Sequence, residues 1–173
     1  TLVDNGTIEQ SIRDLVTIRA SQINGCAFCL DMHIKEGRIH GERELRIHHL
    51  AAWRESTLFV PRERAALAWT EVLTRLPEHG VPDDIYERVR TQLSEKELSD
   101  LSFSVMAINA WNRVNVAFQT VPGSSDKASG LDKANLSSVA AAAAPPPAVS
   151  KELVESSGEV DDEKSLPCGP GGQ

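Results

Sequence analysis

From residue 8 to residue 121 the apolar side chains return every three or four positions, and each such stretch lies between a helix start and a helix stop. Thr7-Ile8-Glu9-Gln10 has the form of a capping box. Ile8, Ile12, Leu15, Val16 and Ile23 follow as a stripe that Asn24-Gly25 ends. A second helix is expected from about Cys26 to Gly37, before the glycine-bounded break at 37–41. A third runs from Glu42 to about Arg54 with Leu45, His49, Leu50, Ala52 and Trp53 on its stripe. Pro61 opens a fourth, near Arg62 to Leu76, since proline suits a first turn. Pro82 starts a short fifth carrying Ile85, Tyr86, Val89 and Leu93. Ser94-Glu95-Lys96-Glu97 is a second capping box and opens the longest helix, to about Val121, with Leu98, Leu101, Val105, Ile108, Trp111 and Val116 inward. No convincing strand and no hairpin signal occurs. The expected fold is all-α, about six helices in one domain over residues 1–122.

Composition changes after residue 122. No aromatic residue follows, an alanine run at 140–144 meets three prolines, and the chain ends Gly-Pro-Gly-Gly-Gln. So few core formers do not offset the entropy of ordering a chain, so residues 123–173 read as a disordered, low-complexity tail. Cys168 lies in it and reads as a thiol without a role. The net charge of −7 argues against a nucleic-acid partner and against attachment to an anionic membrane surface. No run approaches the ~18 apolar residues of a membrane span. Three cysteines are too few for a secreted disulfide framework, so a reducing, cytoplasmic setting is the default expectation.

The chemistry concentrates in Cys26-Ala27-Phe28-Cys29-Leu30-Asp31-Met32-His33. Residues 26, 29 and 33 share one helical face. A cysteine attacks as thiolate and needs help to lose its proton. His33 stands at i+4 from Cys29, whereas the positive helix end favours Cys26. Cys29 is therefore the expected nucleophile toward a peroxide, forming a sulfenic acid. Cys26, nearer the exposed end, condenses with it to a disulfide that an external dithiol reduces. Two rival readings stand beside this one. The cysteines could be small buried hydrophobes, or Cys26, Cys29 and His33 could bind zinc with Asp31 or His40 as fourth ligand, although structural zinc prefers four ligands from convergent loops.

Leu15 to His33, taken whole, closely resembles the AhpD-like branch of the carboxymuconolactone decarboxylase family. The stretches 51–55, 62–71 and 108–113 resemble later signature segments in order and spacing, so the resemblance spans about residues 8–122. Relatives usually carry helical sequence before Thr7, so the N-terminus reads as truncated. The resemblance implies trimers or hexamers and alkylhydroperoxidase activity without heme, flavin or metal. It implies Cys29 as the attacking thiol and Cys26 as the partner that meets a reductant, often a lipoylated protein. It also implies a proton relay joining His33 to an acid twelve residues before the first cysteine. That position is Asp14, one methylene shorter than the usual glutamate, and Phe28 replaces a histidine that some members carry between the cysteines. The family's decarboxylases do not use this cysteine pair, so its presence favours oxidoreductase over lyase. A non-catalytic oligomeric module is the remaining alternative. Of the other polar candidates, one of His48 and His49 is expected to be packed and the other solvated, Glu55 is expected in solvent, and Asn109, Asn112 and Arg113 are expected to make interhelical or subunit hydrogen bonds and not to act in catalysis. Trp53, Trp69 and Trp111 are read first as core or interface anchors, with substrate-pocket walls as the second reading.

Overall fold

The computed structural model describes residues 6–136, all within the first of two compact units, Thr1–Ser138. The described residues form seven α-helices and two short 3-10 turns, with no strand among them. The helices are α1 (Gln10–Asn24), α2 (Ala27–Ile39), α3 (Glu44–His49), α4 (Pro61–Thr74), α5 (Asp83–Arg90), α6 (Glu95–Ala117) and α7 (Asp126–Ser129). The 3-10 turns are Leu50–Ala52 and Leu131–Ala134. Thus the all-α expectation holds, and the expected disorder of residues 137–173, with Cys168, lies outside the described residues.

α1 is the central helix and packs against α2, α4 and α6. Ile12, Leu15, Val16, Ile18 and Ala20 are all buried, so its apolar surface wraps most of the way round. One side meets Ala65, Ala66 and Trp69 of α4 and Leu98, Leu101 and Val105 of α6. The other meets Ile47, Leu50, Trp53, Phe59 and Leu67. Each large aliphatic chain so enclosed contributes about 1.5–3 kcal/mol of transfer free energy. A third, smaller cluster joins Ala20, Cys26, Cys29 and Ile108, which places the cysteine pair where α1, α2 and α6 converge.

Several local expectations are corrected. Thr7 does not cap α1. Glu9 holds that position, and the Thr7 amide and hydroxyl both donate to Asp100 Oδ2 of α6, at 2.9 and 2.8 Å. The α3 stripe is Ile47, Leu50 and Trp53, because the helix gives way to a 3-10 turn at Leu50; Leu45 is left exposed. His48 and His49 are both exposed, the latter beside Ser56. Trp111 and Val116 face outward on α6, which ends at Ala117. The Ser94 box forms as expected: Glu97 N–H donates to Ser94 Oγ and Ser94 N–H to Glu97 Oε2.

The boundary at residue 122 is also too early. α7 and the turn after it lie within the helical unit, and the turn packs on α2 with Leu131 buried. Lys35, 3% exposed, donates to Asp31 at 2.6 Å and to Asp126 at 2.7 Å. Burial opposes the ammonium charge, but the two aspartates outweigh it and hold the Lys35 pKa above its ordinary value. Composition missed this strap because one leucine and one ion pair anchor it, not an apolar run.

Candidate functional site

Gly25 ends α1 in the left-handed region, at φ 66°, where glycine carries no Cβ penalty. That turn delivers Cys26 directly to the N-cap of α2, one position earlier than the first turn expected. Cys26 Sγ accepts the Cys29 N–H at 3.3 Å, the role a serine or aspartate oxygen fills elsewhere. The two sulfurs lie 2.6 Å apart as free thiols. Both residues are 1% exposed, so Cys26 is enclosed and not at an open end as expected. Cys29 is the one that borders a cavity.

That cavity holds about 520 Å³. Phe28, Met32, Ile108 and Trp111 give it an apolar wall, with Cys29 and His33 on the α2 side. Arg13 and Thr17 come from α1, Asn115 from α6, and Ser125 and Ser129 from the strap. Trp111 is therefore a cavity wall as well as a surface residue, since it is 63% exposed. Enclosure pushes the Cys29 thiol up from 9.0 to about 11, and its contact with Cys26 adds to the rise. Asn112 and Asn115 pull the other way; Asn115 Nδ2 is 3.5 Å from the sulfur. The helix end does not produce a resting thiolate at Cys29, so this chemistry needs a base.

Asn112 belongs to a polar network behind the cysteines. Its Nδ2 donates to Ser21 Oγ at 3.1 Å, and Asn24 Nδ2 donates to Asn112 and Asn109 at 2.8 and 2.9 Å. Asn109 Nδ2 reaches Thr74 Oγ1 at 3.1 Å. Arg113 Nη1 donates to Asn109 O and Oδ1 on the same helix. The asparagines bridge helices as expected, and they align α6 with the end of α1 that leads into the cysteine turn.

His33 and Asp14 are not brought together. Asp14 is buried, but its carboxylate meets His40 Nδ1 at 2.9 and 3.1 Å and accepts from Gln10 Nε2 at 2.8 Å. His33 Nδ1 instead lies 2.6 Å from Glu36 Oε2 on its own helix. The physical cause is register. His33 lies within α2 and His40 at its C-cap, seven residues or about two turns later, and Asp14 stands opposite the later one. Glu36 went unread in the sequence, although its i+3 spacing from His33 was a usable signal.

The candidate zinc set is dispersed in the same way. Asp31 is held by Lys35 and His40 by Asp14. Among the described residues no group of three or more His, Cys, Asp or Glu is placed to hold a metal ion. Glu55 is exposed, as expected, and no described helix is long and apolar enough to cross a membrane.

Comparison with known proteins gives a consistent picture. The model of the carboxymuconolactone decarboxylase family matches residues 1–72. An uncharacterized protein of Bacillus subtilis (strain 168), YdfG, is 45% identical over 111 residues, which cover 64% of this chain and 76% of that protein. A solved structure from Agrobacterium tumefaciens, of unknown function and suggested to be the antioxidant defence protein AhpD, is 41% identical. It superposes with a TM-score of 0.67 over 69% of this chain and 82% of its own. An uncharacterized peroxidase-related protein with an AhpD core, from Ralstonia eutropha JMP134, shares the fold at 20% identity. Its TM-score is 0.62, covering 69% of this chain and 63% of that one.

Proposed function

Because this chain belongs to the AhpD-like branch of the carboxymuconolactone decarboxylase family, we propose that it is a thiol-dependent peroxidase acting in antioxidant defence. One observation carries the reading: two free thiols in contact at a helix start, one of them opening onto an apolar cavity shared with a histidine. In the proposed cycle His33 takes the proton from the Cys29 thiol. The thiolate attacks the terminal oxygen of a hydroperoxide, the O–O bond breaks, and the leaving alkoxide or hydroxide receives the proton. The products are a Cys29 sulfenic acid and an alcohol or water. Cys26 then attacks the sulfenic sulfur, releasing water and forming the Cys26–Cys29 disulfide. An external dithiol, such as that of a lipoylated protein, returns both thiols by exchange and is itself oxidised to a disulfide.

A cavity of about 520 Å³ walled by Phe28, Met32, Ile108 and Trp111 suits an organic hydroperoxide with an apolar body better than hydrogen peroxide. The reading also includes self-association. Phe103, Met106, Trp111 and Val114 on the outer face of α6, with Phe118 just past its end, are each 45–79% exposed, and a second copy covering them would roof the cavity at Trp111. The test is hydroperoxide consumption with a dithiol reductant, with mass spectrometry of the cysteines after stoichiometric peroxide. Wild type should yield the Cys26–Cys29 disulfide, and Cys26→Ser should overoxidise at Cys29. Turnover of equal rate in Cys29→Ser would sink the proposal, and a lyase on a cyclic acid that survives loss of both cysteines would replace it.

A further inference from the structure

We infer that Glu36 is the carboxylate that positions His33, holding its proton on Nδ1 and leaving Nε2 as the free acceptor. This rests on the peroxidase reading for its catalytic meaning, though not for its geometry. Three observations converge. His33 Nδ1 and Glu36 Oε2 are 2.6 Å apart. The carboxylate accepts only, so the proton between them sits on the ring nitrogen. His33 Nε2 is buried with no hydrogen-bond partner among the described residues. A buried N–H without a partner is costlier than a buried lone pair, because the donor loses its water outright. The third is that Asp14, expected in this role, is engaged by His40 and Gln10.

The arrangement makes His33 a base. With Nδ1–H donated to Glu36, Nε2 is the nitrogen left to take the Cys29 proton across the cavity both residues line, no hydrogen bond joining it to the sulfur at rest, and the imidazolium so formed is stabilised by the carboxylate at its other end. The same proton passes to the leaving oxygen, so ring and carboxylate end the step as they began. A thiol held near pKa 11 is where such a base matters most. Glu36 does not border the cavity, so it acts through His33 and touches no substrate.

The experiment reads the His33 tautomer by ¹⁵N NMR on the full chain, assigned with His33→Gln. The neutral ring of wild-type His33 is expected as Nδ1–H, the minority tautomer of free histidine. Glu36→Gln keeps an accepting oxygen and retains it; Glu36→Ala moves His33 mostly to Nε2–H. Asp14→Asn leaves the tautomer alone. In parallel, hydroperoxide oxidation of Cys29 slows roughly tenfold or more in Glu36→Ala and less in Glu36→Gln. Nε2–H in wild type, or Nδ1–H persisting in Glu36→Ala, overturns the inference. Wild-type Cys29 inert to hydroperoxides, with the tautomers as expected, overturns the peroxidase reading and leaves the Glu36–His33 pairing standing.

Discussion

Cys29 is a weak nucleophile at rest, and the reason is solvation. Enclosure and the adjacent Cys26 sulfur raise its pKa from 9.0 to about 11, against the pull of Asn112 and Asn115. Alkylation of Cys29 by iodoacetamide, followed by mass spectrometry, should therefore climb about tenfold per pH unit from 7 to 9. A plateau already reached at pH 7 would contradict this. The same shift has a stability consequence. Below pH 9.0 the thiol is protonated in both folded and unfolded chains. Above it the unfolded chain ionises first, so stability falls from about pH 9 until the folded thiol titrates near 11. Cys29→Ser removes that part of the alkaline loss, measurable as a flatter denaturation midpoint across this range. His33, Cys26 and Cys29 were legible as residues from spacing alone. Glu36 as the carboxylate partner was not, because choosing between it and Asp14 depends on how α1 and α2 are aligned.

Two elements are held by polar contacts at their ends, not by apolar area. At the start of α6, Arg62 donates to Glu97 at 2.6 Å and to Glu9 at 2.8 Å, tying α4, α6 and the residue before α1 together. The Arg62 hydrogen bond, with help from Ser94, brings Glu97 down from 4.5 to about 2. A carboxylate lowered in the folded state adds stability above pH 4.5 that disappears as pH falls toward 2. Arg62→Ala should shrink the drop in melting temperature across that window; an unchanged acid profile would show the pair to be inert. Ser94→Ala removes the reciprocal cap and is expected to cost about 1 kcal/mol in chemical denaturation. The strap is the second such element. Asp126→Ala leaves Lys35 with Asp31 alone, and hydrogen exchange should rise in residues 126–134 while α1 stays protected. Uniform exchange change along the chain would mean the pair is not a local latch. The capping boxes illustrate how far local signals reach: the one at Ser94 forms, whereas Thr7, equally good in pattern, is drawn to Asp100 of α6.

Among the described residues, α1 is enclosed by its neighbours and α6 is enclosed on one side only. Leu98, Leu101, Val105 and Ile108 pack inward, while Phe103, Met106, Trp111, Val114 and Phe118 face out. Replacing Trp111 and Phe118 together by Ser should lower the mass measured by light scattering if a second copy covers this face; an identical mass would show that it does not. The all-helical class, the order of elements and the cysteine-bearing helix start were determined by the sequence itself. Helical period, proline, the Asn24-Gly25 stop and the Cys-Cys-His spacing act within a turn or two of the chain, so they are readable without neighbours. Only the tertiary structure decided which side of α6 is inside, that Cys26 is sealed while Cys29 meets the cavity, and that Asp14 serves His40 while Glu36 serves His33. Burial and the contacts between groups far apart in sequence decided the first two and the Asp14–His40 pairing; the His33–Glu36 contact is three residues long, and what the sequence left open was that Asp14 would be taken by His40.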